Sequence, residues 1–230
     1  MNFDIRNFAV FEIGGVEVWL TETILMTWII MAVLIAFAVL VRIKLRGFGE
    51  RPTGFQNVVE TMVEMLDKFV SSMAGPRLQF LGNWFFMVFA FIMLSNFSGA
   101  FGLRPPTADW AMTFALALST FVLIQAMGLK FRGWKYIKAT LFEPTPFLLP
   151  LNLIGELARP VSLSFRLFGN ILAGMILLAM VYNLPPVWAT IILPAALHGY
   201  FDIIIGLLQT YIFCALSLAF ISGAAGIEQD

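Results

Sequence analysis

Five stretches of this chain, residues 18–41, 80–103, 111–129, 147–182 and 187–222, are each apolar and long enough to cross a lipid bilayer. An α-helix rises 1.5 Å per residue, so about 20 apolar residues cover the ~30 Å hydrocarbon core. Of the 230 residues 60% are apolar and 12% charged, against roughly 45–50% and 25% in a soluble domain. A chain so short of charge cannot clothe itself for water. The expected fold is an all-α membrane protein in one membrane domain, 1–230, with five transmembrane helices and one interfacial amphipathic helix.

That sixth helix is expected over 52–73. Phe55, Val58, Val59, Met62, Val63, Leu66, Phe69 and Val70 recur at spacings of three and four, while Gln56, Glu60, Glu64, Asp67 and Lys68 fill the other face. The pattern fits a helix lying in the interface, or one packed on a partner subunit. Asp4, Glu12, Glu17 and Glu22 precede the first stretch and Arg42, Lys44 and Arg46 follow it. This is the reverse of a signal peptide, so the stretch reads as a retained span. The last two stretches meet at Asn183-Leu184-Pro185-Pro186. At roughly 36 residues each, or ~54 Å as continuous helix, they exceed the bilayer core and are expected to run obliquely, with bends near Pro150, Pro160 and Pro194.

Charge placement orients the spans. Five crossings put Arg42, Lys44, Arg46, Arg51, Lys68, Arg77, Lys130, Arg132, Lys135 and Lys138 on one side and only Arg6 and Arg104 on the other. The positive side is cytoplasmic, so the N-terminus is expected outside and the C-terminal Glu228-Gln229-Asp230 inside.

Composition also excludes functions. Fourteen basic against fourteen acidic residues give no cationic excess for nucleic acid. The lone Cys214 and lone His198 cannot make a disulfide, a thiolate metal cage or a bis-histidine haem site. No Gly-Lys-Ser/Thr phosphate loop occurs. Neither a metal nor a cofactor is expected.

Arg166 is the residue out of place. It sits in Leu163-Ser164-Phe165-Arg166-Leu167-Phe168-Gly169-Asn170, deep in an apolar stretch, where a charge costs ~2.5–3.5 kcal/mol on insertion scales. Arginine holds its charge where a buried lysine would lose its proton. A permanent cation there calls for an anion, which is either Asp202 or Glu156 of this chain or a carboxylate of another subunit. Arg159 and Asn170, seven before and four after Arg166, share its helix face. Asp202 and Gln209 are seven apart on the last helix, with Gln209 expected to face Arg166 as a neutral partner.

Gly169, Ala173 and Gly174 allow close approach, by another subunit or within this one. His198, four before Asp202, extends a polar path outward. Glu156 is expected to pair with Arg159 three residues on, with Asn152 nearby on the inner side. Polar groups thus flank a fixed cation on both sides, the outline of two aqueous half-paths separated by a charge.

The run Arg159-Pro160-Val161-Ser162-Leu163, then Arg166-Leu167-Phe168-Gly169-Asn170 with Ala173-Gly174, and Leu208-Gln209-Thr210-Tyr211-Ile212-Phe213 closely resembles subunit a of the F-type ATP synthase membrane sector in its bacterial form. The motifs cover about residues 144 to 222; the N-terminal half matches mainly in size, hydropathy and topology. The resemblance implies a non-catalytic stator subunit in the bacterial inner (plasma) membrane, beside a rotating c-subunit ring. Its other partners would be the b-subunit peripheral stalk and the remaining ATP synthase subunits. The last two helices would form a strongly tilted hairpin against the ring. Two half-channels would carry protons or sodium to and from the ring carboxylates, coupling ion flow to ATP synthesis.

By the same resemblance Arg166 is the essential arginine, Asn170 and Gln209 its polar neighbours, and Asp202 the acid of the outer half-channel. Met175 stands where some relatives carry an ionisable residue, which leaves Asp202 more of the role. Competing readings are a self-contained secondary transporter with a mid-membrane anion site and a quinone-binding redox subunit. The absence of internal repeats and of haem ligands weighs against them.

Overall fold

A computed structural model describes residues 7–13, 16–45, 54–182 and 187–227. The expected turn at 183–186, the tail 228–230 and the cations Arg6, Arg46 and Arg51 lie outside the described residues.

In a bilayer every backbone N–H and C=O must find a partner inside the protein, and a helix does so within one segment. Five described helices meet the length and apolarity that crossing requires, Glu22–Lys44, Pro76–Ala100, Trp110–Arg132, Pro146–Val181 and Leu193–Ala225. The all-helical membrane fold holds from Glu22 onward.

Ahead of it the chain departs from the expectation. Strands β1 (Asn7–Ile13) and β2 (Val16–Thr21) pair antiparallel, with Ala9 opposite Leu20 and Val10 opposite Trp19. Both segments are rich in β-branched and aromatic residues and are separated in sequence by Gly14-Gly15, a composition that suits a hairpin. The first span therefore starts at Glu22 rather than 18. Thr21 caps α1 (Glu22–Lys44) by accepting from the Ile24 N–H, while Glu22 in the first turn and Arg42 and Lys44 in the last complement the helix dipole.

The amphipathic segment forms α2 (Phe55–Ala74), with Val70 and Ala74 buried and Glu64 and Lys68 paired at 2.6 Å on an exposed face. A 3₁₀ turn (Pro76–Leu81) leads into α3 (Gly82–Ala100), and α4 (Trp110–Arg132) follows the linker that contains the 3₁₀ turn Pro106–Ala108. The basic segment after α4, expected only as a cytoplasmic connection, contains a further short helix, α5 (Trp134–Phe142). Its buried Tyr136 anchors it, and the ring lies where Gly128 of α4 has no side chain.

Helix α6 (Leu149–Val181) runs 33 residues with Pro160 inside it, ~50 Å at 1.5 Å per residue. The last stretch is continuous helix in three parts. These are α7 (Val187–His198), a π-helical segment (Gly199–Ile205) and α8 (Gly206–Ala225). π-helical insertions are rare and cluster at functional sites; this one contains Asp202.

The chain divides into two compact units. One gathers Met1–Gly47, Ala90–Met112 and Leu167–Thr210; the other gathers Phe48–Phe89, Thr113–Arg166 and Tyr211–Asp230. Each holds its own polar cluster.

Candidate functional site

In the first unit the cluster is built on the π-helical segment. His198 and Asp202, four residues apart, share a helix face, and His198 Nδ1 lies 2.6 Å from Asp202 Oδ2. Both are largely enclosed, their side chains 19% and 13% exposed. The other ring nitrogen, Nε2, lies 3.1 Å from the Tyr182 hydroxyl. With Asp202 ionised, Nδ1 donates to the carboxylate, and the neutral ring accepts from Tyr182 at Nε2. The result is a hydrogen-bonded row from phenol to imidazole to carboxylate.

Helix α3 borders this row. A Cβ added at Gly99 would lie 2.9 Å from Asp202 Oδ1 and 3.0 Å from its Cγ, so the carboxylate rests directly on the glycine. One turn earlier the buried Asn96 donates to the Gly206 carbonyl at 3.0 Å and accepts from the Thr107 hydroxyl, also at 3.0 Å. The Thr210 hydroxyl donates to that same carbonyl at 2.8 Å.

Also in this unit, Asn170 Nδ2 donates to Gln209 Oε1 at 2.6 Å. Gln209 is 3% exposed, and its Nε2 has no acceptor among the described residues. The oxygen that the spacing aimed at Arg166 is thus engaged by Asn170. The small-residue stripe also divides. A Cβ at Gly174 would meet the Phe201 ring at 3.2 Å, whereas one at Gly169 would meet nothing within 4 Å. Gly174 serves packing within the chain and Gly169 faces open space.

In the second unit a cavity of about 470 Å³ is lined by Arg132, Tyr136, Thr140, Asn152, Glu156, Arg159 and Phe220, among others. Glu156 is 7% exposed. Arg159 grips it with both ends of the guanidinium, Nη2 to Oε1 at 2.9 Å and Nη1 to Oε2 at 3.1 Å, and Gln125 donates to Oε2 at 3.2 Å. The expected pairing at a spacing of three is present, in the bidentate form that gives arginine its specificity.

Arg159 also lies over the Phe220 ring at 5.3 Å. Asn152 donates to the carbonyls of Leu141 and Glu143 at 3.1 and 3.0 Å, so it lines the cavity while fastening α6 to the end of α5. Burial, and after it the charge of Glu156, push the Tyr136 hydroxyl above its ordinary range. It stays protonated at any working pH, a phenol donor beside a carboxylate.

Arg166 has no hydrogen bond or ion pair to a member of either cluster among the described residues. It is exposed on α6, on the side turned away from the buried Leu163, Ser164 and Leu167, and among the described residues it makes no ion pair. The two intrachain anions considered for it are engaged elsewhere, Asp202 by His198 and Glu156 by Arg159. A permanent cation thus lies exposed on a helix built to cross a membrane.

Tyr182, Gln125, Tyr136, Asn96 and Gly99 join these clusters without having been singled out from the sequence. Gln125, as a polar residue in an apolar span, carried a signal of its own; the glycine and the tyrosines carried none.

Comparison with known proteins follows the same lines. Residues 24–222 match the family model described as ATP synthase A chain. The chain is 34% identical over 229 residues to a protein of Propionigenium modestum named ATP synthase subunit a, sodium ion specific, covering 90% of this chain and 74% of that one. It is 31% identical over 219 residues to ATP synthase subunit a of Moorella thermoacetica, covering 95% and 96%. To ATP synthase subunit a 2 of Acaryochloris marina it is 30% identical over 215 residues, covering 91% and 88%.

Proposed function

The chain belongs to the ATP synthase subunit a family, a multi-pass membrane subunit of that complex, and from this premise we propose that it is the non-catalytic stator that passes ions to and from a rotating c-subunit ring. The observation that carries the proposal is Arg166, a permanent cation exposed on a membrane-crossing helix and without an ion-pair partner among the described residues. Leaving it so in lipid costs several kcal/mol. A rotor carboxylate arriving at that face supplies the missing anion.

The mechanism follows from charge. An ion enters from outside by the row Tyr182, His198 and Asp202, where a carboxylate is enclosed but not held by a permanent cation. It neutralises a rotor carboxylate, which can then turn into lipid, because burying a neutral group costs far less than burying a charged one. After nearly a full turn the site reaches the inner path, for which the cavity beside Asn152, Glu156 and Arg159 provides the room and polarity. There Arg166 favours the ionised form and promotes release. The same cation blocks direct passage between the two paths.

Asn170, four residues after Arg166 on the same helix, is a polar neighbour that does not neutralise the arginine, and its side chain is held by the buried Gln209. The transported ion is a proton or, as the name of one relative states for that protein, sodium. The subunit lies in the bacterial plasma membrane with its N-terminus outside and C-terminus in the cytoplasm, joined to the b-subunit stalk and the remaining synthase subunits, where the ATP chemistry resides.

Arg166→Ala tests the reading. In the assembled complex it should abolish ATP-driven ion pumping while leaving ATP hydrolysis by the soluble sector measurable. Near-normal pumping by an assembled Arg166→Ala complex would overturn the mechanism.

A further inference from the structure

The polar seam between α3 and the last helix is built reciprocally. Gly99 of α3 faces the side chain of Asp202, and Gly206 of the last helix faces the side chain of Asn96. A Cβ added at Gly99 would lie 2.9, 3.0 and 3.2 Å from Oδ1, Cγ and Oδ2 of Asp202, and one added at Gly206 would lie 2.9 Å from the Asn96 Cβ. Such distances are inside van der Waals contact. The whole carboxylate is involved, and it is short and already held by His198 at 2.6 Å, so it cannot swing aside as the tip of a long side chain would.

The second contact keeps the first in register. Asn96 is fully buried, fixed by Thr107 at 3.0 Å, and donates to the Gly206 carbonyl just past the π-helical segment. Close approach is not general along the last helix. At Gly199, in the same π-helical segment, an added Cβ meets nothing within 4 Å.

We propose that Gly99 is a positioning residue of the outer ion path, its bare Cα face forming the seat that holds the Asp202 carboxylate against His198, with Asn96 on Gly206 setting the register of that seat. The inference rests on Asp202 being the acid of the outer path. Among the described residues the groups facing Asp202 are His198 on its own helix, Tyr182 through the His198 ring, and from α3 the uncharged Gly99. A side chain at position 99 therefore acts on the carboxylate by moving it away from His198, with no new charge introduced.

The test uses the whole ATP synthase in membrane vesicles, with passive ion conductance read across a pH series after removal of the soluble sector. Gly99→Ala should lower conductance roughly tenfold to a hundredfold, the scale on which ångström misplacement of a reacting group is felt. It should also move the pH profile in the same direction as His198→Gln. Gly199→Ala should match the parent.

Parental conductance in Gly99→Ala overturns the seat, and so does a fall in conductance with the parental pH profile, which would be a packing effect. Should Gly99→Ala fail to assemble, the double variant with Asp202→Ala decides, because it removes the atoms in the way. Restored assembly supports the seat, and continued failure overturns it. Asp202→Asn is read alongside. If it conducts normally, the outer-path reading falls and the seat with it; if it is impaired while Gly99→Ala is parental, the seat alone falls.

Discussion

Asp202 and Glu156 are both enclosed carboxylates on membrane-crossing helices, each held by a basic side chain within one turn, yet the two bases differ in kind. His198 carries charge only when protonated and meets Asp202 through one nitrogen. Arg159 is charged at every accessible pH and takes both oxygens of Glu156. The first pair can gain or lose a proton without breaking its hydrogen bond, because imidazole and carboxylate can exchange the role of donor. The second cannot, since a guanidinium gives up no proton. A carboxylate meant to hand ions on suits the first arrangement, whereas one meant to brace a cavity wall suits the second.

Asp202→Asn should strike hardest at this contrast, lowering pumping on the order of a hundredfold, the range removed with a positioned acid–base group. Glu156→Gln should cost far less, since the amide still accepts from Arg159. Pumping rates of the two variants at equal assembly check the ranking, and a reversed order would break the comparison.

Arg159→Ala comes next, because it leaves the Glu156 carboxylate without its cation. Loss of one partner of a fully buried pair costs ~3–5 kcal/mol; with the Arg159 side chain 35% exposed, the loss should fall below that range. Resistance of the complex to heating in detergent measures it, and adding Glu156→Gln should recover part of the loss. Tyr182→Phe should have the smallest effect, at most about 1 kcal/mol for one hydrogen bond at an exposed residue. Its readout is the pH midpoint of conductance, which the phenol would tune through the His198 ring. An unmoved midpoint would remove Tyr182 from the row.

Much of the fold was legible in the chain. Apolar length gave the spans, and the three- and four-residue recurrence from Phe55 to Val70 gave α2. The strands before α1 were not, since Val18 to Thr21 is as apolar as the helix that follows and only pairing with β1 tells them apart. Nor was α5, which is short and charged and owes its place to Tyr136 packing against Gly128.

The candidate site divides in the same way. Glu156 with Arg159 and His198 with Asp202 could be read at once, because spacings of three and four put both members on one face of any helix. Arg166 could be read too, since a charge deep in an apolar run is costly wherever the run ends up. Tertiary structure alone decided that Asn170 takes the Gln209 oxygen, that Tyr182 reaches His198, that Gln125 reaches Glu156 and that Asp202 rests on Gly99. Helical periodicity fixes which residues share a face, but which faces meet depends on the packing of helices whose apolar surfaces are nearly alike all round, and the polar partners are found only where that packing brings them together.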